Sequence, residues 1–410
     1  MNGAPGEGIR RAGTGGGGEP ATGGEPKTSG EPRTGAEPAT AGEPGNAGSG
    51  SWMIYGATGY TGALVAHEAV RRGQRPILAG RNREAVERLA RELGLASRIF
   101  DLDDPAALDQ GLAGPPRIAA VLHCAGPFVH TSAPMVRACL AARAHYLDIT
   151  GELPVFEAVL AAGPAAREAG VVLLPGVGFD VVPSDCLAAR LADALVDASE
   201  LDLAFASDRG TFSRGTLKTM VESLPHAGAV RRGGKIVPVP VAYDAREIEF
   251  GCGRRWAMTI PWGDVATAYH TTGIPNIRVY TAAPPRSVRR ARRLGTLLPL
   301  LAWRPVKRLL QGAIVRRVAG PPPEVRAAAR MYLWGEARNA AGARVTATLE
   351  TPEAYRLTAE SAVECVMRVL AGTVPPGSWT PGRAFGPHFA AELPGVVEGE
   401  LKRWPAAPDP

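Results

Sequence analysis

The sequence predicts a doubly wound parallel α/β sheet joined to a second, α+β domain that contains a mainly antiparallel sheet. Three observations carry this reading. The motif GATGYTG, Gly56 to Gly62, directly follows the apolar run Trp52 to Tyr55, as a strand, a glycine turn and a helix start would. Short apolar runs then alternate with helical patterns as far as Asp185, the signature of βα units. From Glu200 onward the texture changes to residues alternating with a period of two.

In the first unit Gly56 permits a tight turn, Gly59 lets a backbone approach a pyrophosphate, and Gly62 lets the next helix pack on the strand. Thr58, Tyr60 and Thr61 complete a turn whose unpaired N–H groups face an anion. Leu64, Val65, Ala69 and Val70 form the helix's apolar face, Gly73 ends it, and Pro76 to Ala79 is the second strand. The second helix is capped by Asn82, buries Val86, Leu89, Ala90 and Leu93, and stops at Gly94. Glu84/Arg88 and Glu87/Arg91 are expected to pair on its outer side.

Arg98 to Phe100, Ala119 to His123, Tyr146 to Ile149 and Val171 to Leu174 are the later strands. In an open parallel sheet the ligand lies outside the carboxyl ends of the strands. There Asp101 is placed to reach an adenine, and Cys124, Ala125, Gly126 and Pro127 to reach the inner part of a dinucleotide. Thr131 or Ser132 is expected to cap the helix that contains Pro134. The end of the second strand carries Arg81 and no acid, so NADP is favoured over NAD. A guanidinium clamps a 2′-phosphate, whereas a carboxylate would bind ribose hydroxyls.

In the second unit the expected strands are Leu201 to Phe205, Lys235 to Val239, Arg246 to Phe250, Arg255 to Ile260 and a hairpin from Met331 to Glu350 turning at Asn339 to Gly342. A helix over Thr358 to Ala371 buries Ala362, Val363, Val366, Val369 and Leu370. The expected organisation is a Gly/Pro/Glu-rich disordered tail (1–50), a nucleotide-binding domain (51–198), an α+β substrate domain (199–356) with a basic helical insertion (286–317), and a C-terminal segment (357–410). The tail carries five GEP or AEP units and lacks the pattern of a signal peptide. Translation beginning nearer Met53 is the alternative.

With 410 residues, 45% of them hydrophobic, the chain can bury a large core, and no segment has the roughly 18 to 20 apolar residues of a membrane span. Its five cysteines include no CxxC pair, so reduced thiols and no metal site are expected. Cys139, at helical spacing from Val136 and Leu140, reads as a core residue. The net charge of +6 is concentrated, because Arg286 to Arg317 holds ten basic and no acidic residues around the apolar Leu294 to Trp303. No nucleic-acid reading motif accompanies it. A solvated insertion, or a surface for an anionic membrane or an acyl carrier protein, fits better.

GATGYTG (56–62), LAGR (78–81), HCAGPF (123–128), HYLDITGE (145–152) and LLPGVGFDVVPSD (173–185), in that order, resemble the saccharopine dehydrogenase-like oxidoreductases, including their trans-acting enoyl reductase branch. SRGT (213–216) and TPGRAFGP (380–387) are similar to later segments of that family. The resemblance implies a Rossmann-type NAD(P)-binding domain, a second domain, and a C-terminal part returning to the first. It also implies an NADPH-dependent oxidoreductase, with reduction of a C=C bond in an apolar or lipid-linked substrate as the first reading.

An imine dehydrogenase or a non-catalytic dinucleotide-binding scaffold is the alternative. The former needs cations for substrate carboxylates, at which only Arg254, Arg255 and Lys218 hint. No Tyr is followed four residues on by Lys, and neither G-x-S-x-G nor H-E-x-x-H occurs, which disfavours short-chain carbonyl reductase, serine hydrolase and zinc protease chemistry. Asp180, Ser213, Lys218 and Tyr269 are the catalytic candidates. Their structural alternatives are helix caps for Asp180 and Ser213, a solvated side chain for Lys218 and packing for Tyr269. A cytoplasmic protein is expected, peripheral to the inner face of the membrane if the basic block docks there. A homodimer is left open.

Overall fold

The computed structural model describes residues 51–208, 228–295 and 322–406. The tail, Ser213, Lys218, the SRGT segment and all of the basic block beyond Gly295 lie outside them.

The first half alternates strand and helix: β1 (Ser51–Tyr55), α1 (Tyr60–Arg71), β2 (Ile77–Gly80), α2 (Arg83–Leu93), β3 (Ser97–Ile99), α3 (Pro105–Ala113), β4 (Ile118–His123), α4 (Phe128–Ala142), β5 (His145–Asp148), α5 (Leu153–Ala161), α6 (Gly163–Ala169), β6 (Val172–Leu174) and α7 (Val182–Ala194). The second half holds β7 (Glu200–Ser207), β8 (Ala229–Arg232), β9 (Lys235–Pro238), β10 (Ala245–Phe250), β11 (Gly253–Thr259), α8 (Asp264–Thr272), β12 (Asn276–Ala282), α9 (Pro285–Gly295), α10 (Pro323–Ala328), β13 (Arg330–Arg338), β14 (Arg344–Pro352), α11 (Ala354–Leu370), β15 (Gly377–Ser378), α12 (Pro381–Phe385), β16 (Val397–Glu398) and β17 (Lys402–Trp404).

Seven strands form a parallel sheet in the order β15-β6-β5-β4-β1-β2-β3. Ile54 of β1 registers with Leu78 on one side and Leu122 on the other, and all three are buried, as a sheet covered on both faces requires. The strand order reverses between β1 and β4, which opens a crevice beyond Tyr55 and His123. A second sheet runs β10-β11-β12-β7-β13-β14-β16 and is mainly antiparallel, with β12 and β7 its parallel pair. Val345, Ala347 and Leu349 face the core, as their spacing predicts.

One hydrophobic cluster joins the sheets, from Ile54 and Leu174 to Leu203, Leu349 and Val363. Helix α11 ties the halves together: Arg72, the residue that caps the end of α1, reaches Glu364 at 2.9 Å and the Glu360 carbonyl at 3.2 Å. Strand β15 then extends the parallel sheet, Gly377 registering with Val172. All five cysteines are free, and Cys139 is buried in α4. Among the described residues no helix is long and apolar enough to cross a membrane.

Several local expectations are corrected. Val70 is exposed, and the buried face of α1 is Gly62, Val65, Ala66 and Ala69. Glu87 pairs with Arg83 at 2.9 Å rather than with Arg91. Helix α4 starts at Phe128, before Thr131 and Ser132, because a carboxylate from another loop satisfies its first N–H groups. Helix α11 starts at Ala354, with the Glu353 side chain accepting from the Tyr355 and Arg356 N–H groups. Leu370 at its end is only half-buried.

Candidate functional site

The glycine turn sits at the strand-order reversal. Gly56 adopts φ +82, and a Cβ there would stand 2.8 Å from the Ala125 nitrogen, so a bare, left-handed residue is needed where the loops after β1 and β4 meet. A Cβ on Gly62 would lie 2.3 Å from the Gly56 carbonyl oxygen, which confirms its packing role. A Cβ on Gly59 would meet only that oxygen, at 3.2 Å, and Thr58 and Gly59 are exposed. Helix α1 begins here with no side-chain cap and no acid in its first turn, so its positive end is presented outward. These features fit a dinucleotide pyrophosphate.

Arg81 and Asp101 lie beyond the ends of β2 and β3, and both charges act on the Tyr55 hydroxyl, which donates to the Phe100 carbonyl at 3.1 Å. Burial, followed by the Asp101 charge, pushes this hydroxyl up to about 12, with Arg81 opposing. Arg81 is exposed and makes no ion pair among the described residues. Asp101 accepts from the Asp103 N–H at 3.2 Å, which shapes its own loop.

The loop Cys124 to Pro127 is tied to β1 by the Cys124 N–H bonding the Tyr55 carbonyl at 2.8 Å. Burial pushes the Cys124 thiol up, so it is no nucleophile at neutral pH. Behind it, burial holds the His123 imidazole down to about 3. Thr131 donates to the Ala125 carbonyl at 2.6 Å, and its oxygen stands 3.0 Å from His123 Nε2, which therefore carries the proton. Glu152 supplies the carboxylate at α4, accepting from the Phe128 and Val129 N–H groups at 2.8 Å each. The N-terminus of α4 is thereby filled by protein, whereas that of α1 has no side-chain cap.

Asp148, at the end of β5, fixes the next loop. Its carboxylate accepts from the Tyr146 hydroxyl at 2.7 Å and from the N–H groups of Thr150 at 3.0 Å and Gly176 at 2.9 Å. Burial still pushes it up to about 6. Ser361 and Thr358 of α11 hold the same loop, bonding the Val177 carbonyl at 2.7 Å and the Phe179 N–H at 3.0 Å. A Cβ on Gly178 would stand 2.8 Å from the Thr358 methyl, so this approach needs glycine.

The loop so held delivers Asp180 beside Gly151. Its carboxyl is not the cap of α7, whose N-terminus has no side-chain cap bond, and among the described residues it makes no hydrogen bond. Burial pushes it up to about 7. Nearby, Asp264 is buried, accepts from Ser184 at 2.9 Å through one oxygen and leaves the other without a partner among the described residues. Burial, then the charge of Asp185, pushes it far up. Phe179, Phe205 and Trp262 stand ring against ring, with centroids 6.1 and 4.6 Å apart, between the first sheet's loop and the second sheet.

Tyr269 is placed elsewhere. The Arg231 guanidinium lies 4.4 Å from its ring centre, and it lines a shallow cleft with His270, Thr271 and Arg383. Of the other cations, Arg254 faces Glu249 at 3.6 Å and Arg255 donates to the Ser207 carbonyl at 3.1 Å, so neither forms a carboxylate pocket. Sequence reasoning did not single out Thr358, Asp264 or Arg326. Thr358 bonds Phe179, Asp264 bonds Ser184 and Arg326 bonds Tyr60, each from a distant segment that no local spacing announces. Among the described residues no cluster of three or more His, Cys, Asp or Glu side chains forms a metal site.

Comparison with known proteins bears out the resemblance read from the motifs. Residues 52–174 match the family model described as the saccharopine dehydrogenase NADP binding domain. A Mycobacterium tuberculosis protein named as a candidate trans-acting enoyl reductase is 33% identical over 189 residues, 43% of this chain and 44% of the relative. The human saccharopine dehydrogenase-like oxidoreductase is 30% identical over 155 residues, 32% of this chain and 35% of the relative. The chain therefore aligns with less than half the length of these curated relatives. The apo saccharopine dehydrogenase (L-Glu forming) of Saccharomyces cerevisiae shares the fold, with a TM-score of 0.59 and 12% identity over 87% of this chain and 100% of that one.

Proposed function

Taking the saccharopine dehydrogenase NADP-binding domain at residues 52–174 as the premise, we propose that this protein is an NADPH-dependent oxidoreductase that reduces a C=C bond in an apolar or lipid-linked substrate, with Asp180 as proton donor. The observation that carries the reading is the Asp180 carboxyl, poised near neutrality beyond the end of β6 without a hydrogen-bond partner among the described residues. A general acid works best with a pKa near the operating pH. Bound NADPH supplies a hydride to one carbon of the double bond. The other carbon then needs a proton, which Asp180 supplies and recovers from solvent.

Arg81 reads the 2′-phosphate, Asp101 lies on the adenine side, and Gly56, Thr58, Gly59, Tyr60, Thr61 and Gly62 cradle the pyrophosphate. Cys124, Ala125, Gly126 and Pro127 border the inner part of the cofactor. Phe205 and Trp262, both half-buried, offer an apolar wall to the substrate. Relatives named trans-acting enoyl reductase support the reaction class. The commitment of Arg254 and Arg255 to structural contacts weighs against a substrate with several carboxylates.

Helix α9 buries Val288 and anchors Arg292 on the Ala242 carbonyl at 2.9 Å, while Arg286, Arg289 and Arg290 are exposed. That face supports delivery of the substrate from an anionic membrane or an acyl carrier protein. NADPH consumption is to be assayed with a panel of enoyl thioesters and a panel of keto-acid/amine pairs. Turnover of the first supports the reading. Turnover of only the second replaces it with imine reduction, and tight NADPH binding with neither replaces it with a scaffold.

A further inference from the structure

The second sheet keeps its central charges on one face. Asp202 of β7 takes Arg278 of β12 at 2.7 Å and Arg246 of β10 at 3.3 Å, and these ion pairs lie opposite the face that joins the two sheets. The joining face carries Leu201 and Leu203 of β7 and Ile277 and Val279 of β12, all buried in the shared cluster. Two residues further along each strand the packing loosens, because Phe205, Thr281 and Met258 of β11 are only half-buried. Phe205 registers with Thr281 and Thr281 with Met258, so the three stand side by side on this face, about 4.8 Å from strand to strand.

The row has a wall at each end. Trp262 stands 4.6 Å from Phe205 between ring centres, and a Cβ on Gly263, the next residue, would lie 3.4 Å from the Asp180 carbonyl oxygen. At the far end Met258 packs on the cluster that contains Ala283 and Val288 of α9. Trp256, two residues from Met258 and on the same face, is 40% exposed. The acids of β10 on this face, Glu247 and Glu249, are exposed, and Glu247 registers with Trp256 rather than with the row.

We infer that Phe205, Thr281 and Met258 floor a trough for an aliphatic chain of the substrate, running from the aromatic wall beside Asp180 towards α9, and that Thr281 at its middle sets the chain length accepted. An uncharged, half-buried row continuous with the wall at the proton donor suits methylenes and offers no partner to a carboxylate or ammonium group. The inference rests on the reduction of an apolar C=C substrate and names the residues that select it.

The test uses the full chain, NADPH and coenzyme A thioesters graded from butenoyl to dodecenoyl. In the wild type KM is expected to fall about fourfold per methylene until the trough is full. Thr281→Phe, which fills the floor, should raise the dodecenoyl KM tenfold or more and leave butenoyl kinetics and NADPH affinity in place. Thr281→Val, which keeps the shape and replaces the hydroxyl by a methyl, should lower the dodecenoyl KM about twofold and leave butenoyl unchanged. A chain-length profile that neither variant alters overturns the inference. So does a Thr281→Phe chain that unfolds or loses every length alike while Thr281→Val has no effect, since the face is then already filled by the protein. A wild-type chain that binds dodecanoyl-coenzyme A more tightly than butanoyl-coenzyme A, yet reduces no enoyl thioester, keeps the trough and overturns the reduction.

Discussion

Asp180 Oδ2 stands 2.6 Å from the point that a Cβ on Gly151 would occupy. The loops after β5 and β6 are therefore in contact through a carboxyl on one side and a bare backbone on the other. A side chain at 151 must displace the carboxyl, and Gly151→Ala tests whether its position matters separately from its charge.

If Asp180 donates the proton, activity is governed by its protonated form, which is lost as pH rises through about 7. Asp180→Asn is expected to lower kcat by a hundredfold or more, on the order of a general acid's contribution, and to leave NADPH affinity in place. Gly151→Ala should lower kcat less and move the alkaline limb. An Asp180→Asn enzyme with the wild-type pH profile would exclude the assignment.

The same group makes a stability prediction of opposite sense to an ion-paired carboxylate. Its folded pKa lies above the unfolded value near 3.9, so the folded state holds the proton more tightly and stability falls as pH rises from about 4 to about 7. Asp180→Asn should be as stable as wild type at low pH and more stable above pH 7. Urea melts at two pH values measure this, and a mutant less stable at high pH would contradict the burial argument.

Arg81→Ala is expected to weaken NADPH about tenfold or more and to leave NADH little changed, because charge-assisted bonds are each worth roughly 1.5 to 3 kcal/mol. Equal losses for the two cofactors, measured by fluorescence titration, would show that Arg81 does not read the 2′-phosphate.

The glycines of the turn separate binding from folding. Gly59 is exposed and a Cβ there meets little, so Gly59→Val should abolish NADPH binding with the melting temperature nearly kept. At Gly62 a Cβ would stand 2.3 Å from a backbone oxygen, so Gly62→Val should lower the melting temperature itself. Normal NADPH binding by Gly59→Val would refute the phosphate assignment.

For the basic block, Arg286, Arg289 and Arg290 are the exposed cations of α9 to reverse, since Arg292 is engaged with the Ala242 carbonyl. Basic residues at an anionic membrane contribute about 1 kcal/mol each. Their triple change to Glu should sharply reduce co-sedimentation with anionic vesicles, or capture by an acyl carrier protein, at constant NADPH affinity. A wild-type chain that binds neither surface leaves the block an ordinary solvated insertion.

Much of the fold was legible because its determinants are local. The Asn82 cap and Gly94 stop of α2, the Asn339 to Gly342 turn and the alternation of Val345, Ala347 and Leu349 each act within a few residues, and the structure keeps all of them. Strand β12 and helix α8 were not anticipated. Asn276 to Ala282 mixes Arg278 and Thr281 among its apolar residues, and it is a strand because β7 and β11 pair with it on either side.

The sequence by itself determined the glycine turn and the acid-free end of β2, and hence the expectation of NADP, since these depend on residue type at short spacing. Tertiary structure alone decided which carboxylates are structural. Glu152 is consumed by the N–H groups of α4 and Asp148 by those of Thr150 and Gly176, whereas Asp180 is delivered without a hydrogen-bond partner among the described residues by a loop that α11 holds, Thr358 against Phe179 being 179 residues apart in the chain. The physical reason is that a carboxyl's pKa and availability are set by desolvation and by the donors that reach it. Those donors come from whichever distant segments the core brings into contact.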